Sequence, residues 1–203
     1  MHASPASYVS PLAPREFSAS WAWKAWGCAA VLALLWMGLI VGAPLAASGG
    51  HEASAFVIYQ GLKTVCHQMA ERAFWVAGHP LAVCARCFGI YAGFTVAVLL
   101  YPLAARGWRR ATAFTATPRR EWLILALAPT TIDFTLGITG VWANTHSSRA
   151  LTGAWLGAWL AAYVVPGVLE IFRQRRQRRN RQRTAHDAAT PTTTPATVVF
   201  ERK

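Results

Sequence analysis

Between Cys66 and Cys87, twenty-two residues carry most of the reactive side chains of the chain: Cys66-His67-Gln68, Glu71-Arg72, His79-Pro80 and Cys84-Ala85-Arg86-Cys87. Cys84 and Cys87 are separated by two residues, so a turn entering a helix can aim both sulfurs at one point. Helix N-terminal amides and the neighbouring Arg86 both favour thiolate over thiol there. Thiolate is the form that binds a metal ion or attacks a disulfide. With Cys66 as third sulfur and His67 as fourth donor, the set is that of a tetrahedral site for zinc or another thiophilic ion. Adjacent residues on a regular helix point about 100° apart, so Cys66 and His67 can both ligate only where a helix frays or ends, and His79 is the alternative fourth ligand. A disulfide among the three cysteines would leave one of them unpaired. The rival chemistry is thiol-disulfide exchange, in which Cys84 and Cys87 cycle between disulfide and dithiol, Cys66 resolves, and a quinone in the bilayer accepts the electrons. Only analogy supports that second reading, because the sequence offers no second cysteine pair to relay electrons. No Ser/His/Asp arrangement, phosphate-cradling loop or nucleotide fingerprint accompanies these residues, and no reaction is assigned from them.

The elements that position this cluster are set by lipid. In 203 residues, 54% are hydrophobic and 14% charged, with mean hydropathy +0.29, which argues against a soluble globule. Crossing a hydrocarbon core takes roughly 20 mostly apolar residues in a helix. Four stretches qualify: Cys28 to Ala47, Cys87 to Ala105, Trp122 to about Val141, and Ala150 to Leu169. The first is longer than the roughly 7–15 apolar residues of a signal peptide, which favours a retained span. The expected fold is therefore an all-α, four-helix transmembrane bundle. Residues 1–24 form a cytoplasmic segment, residues 25–172 the membrane domain with an outward Cys/His loop at 48–87, and residues 173–203 a basic, then Thr/Pro-rich, disordered tail.

The net charge of +12 sits at the edges of the apolar runs. Arg106, Arg109, Arg110, Arg119 and Arg120 fill the link between the second and third spans, and seven arginines from Arg173 to Arg183 follow the fourth. Positive flanks stay cytoplasmic, which places both termini inside a cytoplasmic (inner) membrane and leaves Lys63, Arg72, Arg86 and Arg149 on the outer side. The basic run suits anionic lipid headgroups, each near-surface charge contributing on the order of 1 kcal/mol. No aromatic residue interleaves the arginines, so nucleic acid is not an expected partner.

Within the outward loop, Ala55, Ile58, Tyr59, Leu62, Cys66, Met69 and Ala73 recur at three- and four-residue spacing, predicting an amphipathic helix over 54–76 that lies on the membrane or caps the bundle. Lys63, His67 and Glu71 on its polar side need be no more than solvated neighbours. Asp133 interrupts the third span. A carboxylate in that setting costs roughly 2.5–3.5 kcal/mol on insertion scales, so it should face the interior, against Arg86, Arg149 or a hydroxyl of Thr95 or Thr152. Gly89 and Gly93 in the second span, and Gly153, Gly157 and Ala161 in the fourth, form small-residue faces whose contact would bring Cys84 and Cys87 near His146 and Arg149.

Cys66-His67-Gln68, Glu71-Arg72-x-Phe74, Gly78 and Cys84-Ala85-Arg86-Cys87-x-Gly89-Ile90-Tyr91-x-Gly93 together resemble the signature of the bacterial and archaeal membrane-protein family called domain of unknown function 2085. Asp133 and Arg149-x-x-Thr152-Gly153 extend the likeness, which covers roughly Phe56 to Gly157. Ala73, Phe88 and Phe134 stand where that pattern usually has Ser, Thr and Gly; the Cys and His positions are kept. The resemblance implies the membrane architecture and marks Gln68, Arg72, Arg86, Tyr91, Asp133 and Arg149 as supporting residues. It implies no activity.

Overall fold

The structure is a computed structural model describing residues 20–107 and 120–189. The expectations for Trp108, Arg109, Arg110, Arg119 and residues 1–19 and 190–203 lie outside the described residues, as do the side chains of Arg106 and Arg120. Five α-helices follow in order: α1 Ser20–Ser48, α2 Glu52–Leu62, α3 Ala85–Gly107, α4 Arg120–Ile138 and α5 His146–Ala189. Among the described residues, four of them (α1, α3, α4 and α5) are long and apolar enough to cross a membrane, as the apolar runs predict. Leu32, Leu35, Leu103, Ile124 and Leu151 are exposed on their outer faces, the pattern of helices solvated by hydrocarbon.

The most extensive contact joins α3 and α5. It is built on the glycines: a Cβ on Gly89 or Gly93 would overlap the backbone of Ala150 or Ala154, and one on Gly153 or Gly157 would overlap the carbonyl of Arg86 or Ile90. Backbone thus packs on backbone, which is how helices associate where lipid removes the hydrophobic drive between them. α1 joins through Ala22, Ala25 and Ala30, buried against Val98, Ala161, Val165 and Leu169. Pro102 explains one further tie. It lacks the N–H that would bond the carbonyl four residues back, and that freed Val98 oxygen accepts the Trp26 indole N–H at 2.8 Å. α4 is held on α5 by Thr130 Oγ1 donating to the Thr152 carbonyl at 2.9 Å and by Trp122 stacked on Trp159.

Two expectations need correction. The helix expected over 54–76 stops at Leu62. The chain then runs through a loop, a single 3-10 turn at Ala70–Arg72 and a two-stranded hairpin, β1 Trp75–Val76 and β2 His79–Pro80. Ala77 and Gly78 between the strands have φ 50° and 81°, the left-handed pair of a tight hairpin turn. The basic run expected to be disordered is instead the continuation of α5, which reaches Ala189. Arginine and glutamine are good helix formers, and extending an established helix avoids the cost of nucleation. At about 1.5 Å per residue its 44 residues span about 66 Å, so α5 projects well beyond a hydrocarbon core of roughly 30 Å.

Gly157→Ala is expected to destabilise the detergent-solubilised protein by roughly 1–3 kcal/mol by forcing α3 from α5. Gly42→Ala, where a Cβ meets nothing within 4 Å, should be neutral or stabilising by up to about 1 kcal/mol. Thermal denaturation of both variants checks the opposite signs.

Candidate metal centre

Cys66, Cys84 and Cys87 meet at the end of the bundle where α3 begins, their sulfurs all within 4.8 Å of one another. All three are free thiols in the structure, and Cys66 is only 6% exposed. Their convergence has a local cause on each side. Leu81, Ala82 and Val83 are buried among Ile40, Ala43 and Leu62, so the strand leaving the hairpin is anchored in the core just before it delivers Cys84. Cys84 immediately precedes α3, and the next turn carries Cys87 round to the same side. Cys66 arrives from the end of α2, where its own N–H still bonds the Leu62 carbonyl at 3.1 Å.

Gln68 fixes the loop that carries Cys66. Its backbone sits at φ 53°, an uncommon conformation for a residue with a side chain. Its amide nitrogen donates to two carbonyls, that of Tyr59 at 2.7 Å, which also takes the Lys63 N–H at the end of α2, and that of Ala82 at 2.8 Å. Tyr59 in turn donates its hydroxyl to the Pro80 carbonyl at 2.5 Å. These bonds pin the α2 end to the segment just before Cys84.

The sulfurs collect backbone donors. Cys66 Sγ accepts N–H groups from Cys84 at 3.2 Å and Gln68 at 3.5 Å. The Cys87 thiol, the Cys87 backbone N–H, Cys66 and the Arg86 backbone N–H all act on Cys84; the first is the strongest, and together they outweigh burial and hold this thiol well below its ordinary range, at about 5. The thiolate form of Cys84 is therefore favoured where sequence placed it, at the first amides of a helix. Four sulfurs round a zinc ion at about 2.3 Å would stand about 3.8 Å apart, so the three here need little contraction to share one ion.

The predicted histidines are not brought in. His67 is exposed, and neither it nor His79 offers a nitrogen within the sulfur group. Adjacent residues of an extended loop diverge, so turning Cys66 inward turns His67 outward. His79 is occupied as a hairpin residue paired with Val76. His146, expected near the cysteines, lies against Phe74, with its Nε2 3.2 Å from the Glu71 carbonyl oxygen. Tyr91 is half-buried against the same core as Cys87, its ring edge-on to Trp36 at 5.6 Å.

The supporting charges do assemble. Arg86, in the first turn of α3, pairs with Asp133 on α4, and its guanidinium lies 5.3 Å from the Phe134 ring centre. Asn144 donates to the Asp133 backbone carbonyl and packs closely on Gly137. Arg149 and Arg72 reach the same neighbourhood as Cys84: together with Arg86 and Asn144 they line a cavity of about 100 Å³. Asn144 and the hairpin went unread in the sequence. The Ala77-Gly78 turn pair was the available signal for the hairpin; Asn144 had none.

In the metal-free protein lacking Cys28, iodoacetamide should label Cys84 before buried Cys66 at pH 7. Because the Cys84 thiol is depressed, its labelling rate should hold from pH 7 down to about 6 and fall as pH drops through about 5; mass spectrometry of the peptides reads both.

Residues 66–163 match the family of predicted membrane proteins DUF2085, in agreement with the signature seen in the sequence. The chain is also similar to an uncharacterized protein of Methanocaldococcus jannaschii, 38% identical over 96 residues, which are 47% of this chain and 58% of that one. The chain thus spans little more than half the length of that curated relative. No solved structure matches.

Proposed function

Starting from a membrane-protein family without an assigned activity, we propose that this chain is a metal-binding membrane protein in which Cys66, Cys84 and Cys87 hold one thiophilic ion, zinc by donor set, at the extracytoplasmic rim of the bundle. The observation that carries the reading is the meeting of three sulfurs from two distant segments within 4.8 Å. Backbone N–H groups directed at Cys66 and Cys84 support it, because they stabilise the charged form a metal requires. The ion would tie the α2 loop to the start of α3. The fourth position falls to a ligand from outside this trio, since His67 faces away. The Lys/Arg distribution supports an inner-membrane protein with both termini cytoplasmic and the cysteine end outward. Arg173 to Arg183 on the projecting part of α5 would then meet anionic headgroups on the inner side.

A second reading is favoured by one observation, the free Cys84 and Cys87 sulfurs lying within 4.8 Å of one another. In a thiol-disulfide oxidoreductase the two would form a disulfide, giving up two electrons and two protons to a quinone, which becomes quinol, and Cys66 would resolve mixed disulfides with a partner.

Elemental analysis with thiol counting on detergent-purified protein separates the two. Under the metal reading, the protein carries about one ion per chain, loses it when any one of the three cysteines becomes serine, and keeps it in His67→Ala. Purified protein with no bound ion and a Cys84–Cys87 disulfide, or Cys87→Ser trapping a mixed disulfide with another protein, would transfer the assignment to redox chemistry.

A further inference from the structure

The arginines beside the cysteines have no role in holding a cation, and their arrangement calls for a different ligand. Of the four Lys/Arg residues that sequence assigns to the outer side, three line one cavity of about 100 Å³: Arg72 from the 3-10 turn, Arg86 from the first turn of α3 and Arg149 from the first turn of α5. That space exceeds the roughly 30 Å³ a water molecule occupies in the liquid and would take a small polyatomic ion.

Only one carboxylate answers these charges. Asp133 is engaged by one terminal nitrogen of Arg86, whose Nε is buried and has no hydrogen-bond partner. Arg72 and Arg149 form no ion pair among the described residues. Asn144, also lining the cavity, has its amide nitrogen engaged by the Asp133 backbone carbonyl, so the free donors there are those of the arginines. Gathering cations from three separate segments around a partly buried space is unfavourable unless an anion joins them. Guanidinium forks match the paired oxygens of phosphate, which can take bonds from several arginines at once.

We propose that this cavity is a binding site for a phosphate group, borne either by a free ion or small phosphomonoester or by a lipid headgroup. The lipid source is open because Phe134 and Ile138, on the α4 wall of the cavity, are 51% and 70% exposed along a membrane-spanning helix. The inference goes beyond the metal reading and stands without it, since none of the three arginines is a metal ligand.

The test uses the full chain in nanodiscs of phosphatidylcholine. In one arm inorganic phosphate is titrated and binding read by calorimetry. In the other, nanodiscs doped with phosphatidic acid are exchanged against phosphatidylcholine and retained lipid is read by native mass spectrometry. Saturable binding in either arm is expected. It should weaken at least tenfold in Arg72→Gln and in Arg149→Gln and stay unchanged in Lys63→Gln, an exposed cation at the same end. Binding in the first arm alone identifies a free anion as ligand; binding in the second alone identifies a headgroup. Arg149→Lys, which keeps the charge, should retain part of the affinity and reports on folding alongside circular dichroism. No saturable binding in either arm, or affinity unmoved by both glutamine variants, overturns the proposal. Ion content measured on the same samples keeps the two readings apart: an arginine variant that loses phosphate and keeps its metal isolates the anion site, and a cysteine variant that loses metal tests the other.

Discussion

Backbone contact between α3 and α5 is the constraint on which the cysteine end of the molecule depends. Gly89 and Gly93 lie against the backbone of Ala150 and Ala154, and Gly153 and Gly157 against that of Arg86 and Ile90, so closely that no Cβ fits at any of the four. Their first turns are therefore fixed side by side, and those turns carry Arg86 and Cys87 on α3 and Arg149 on α5. A wider crossing, of the kind leucine faces would impose, would part the two arginines and open the wall of the cavity they share. Packing that looks purely structural is thus what gives the polar residues at the helix ends a common address.

The second requirement is that exposed backbone be satisfied where the chain leaves helical form. After Leu62 the segment to Val83 has little regular structure, and it lies against the apolar residues of α1 and α3. Unpaired amides and carbonyls there would each cost on the order of 1–3 kcal/mol. Two of the answers involve the site itself: sulfur accepts the N–H groups of Gln68 and Cys84, and the Gln68 amide bridges Tyr59 and Ala82. The same bonds that repair the backbone also tie the Cys66 sulfur to the Cys84 N–H at 3.2 Å. Loop conformation and thiolate chemistry are one problem here, solved by one set of contacts.

This overlap explains what could be read beforehand. The four long helices were legible because twenty-residue apolar runs with charged ends leave few alternatives. Cys-x-x-Cys at a helix entrance, the glycine faces, and a carboxylate at Asp133 needing an interior partner were legible because each states a local need, while the choice of Arg86 over Arg149, Thr95 or Thr152 was not. The continuation of apolar spacing past Leu62 misled, since Cys66 is buried in a cluster with Ile40, Leu81, Ala82 and Val83, distant in sequence, and not by a continuing helical face. His67 failed as a neighbour of Cys66 for the same reason: its direction depends on a loop whose shape is set by Gln68, at φ 53°, and by carbonyls as far away as Ala82. Composition likewise misjudged the arginine run, where continuity with α5 outweighed polarity.

Charge accounting at the rim links the sulfur cluster to its surroundings. Asp133 is deep enough in its span to need a counter-charge, and Arg86 supplies it from the residue between the two α3-side cysteines. That pair fixes the start of α3 against α4, which otherwise touches the bundle mainly through α5. Arg86 thus does two things: its backbone N–H supports the Cys84 thiolate, and its side chain joins the third span to the site. Removing Asp133 would leave three arginines with no carboxylate among them, and the cavity would then depend wholly on a bound anion for its balance. Ion pair and cavity are thus joined to the cysteine end through a single residue, whose backbone N–H bears on Cys84 while its side chain answers a carboxylate on α4.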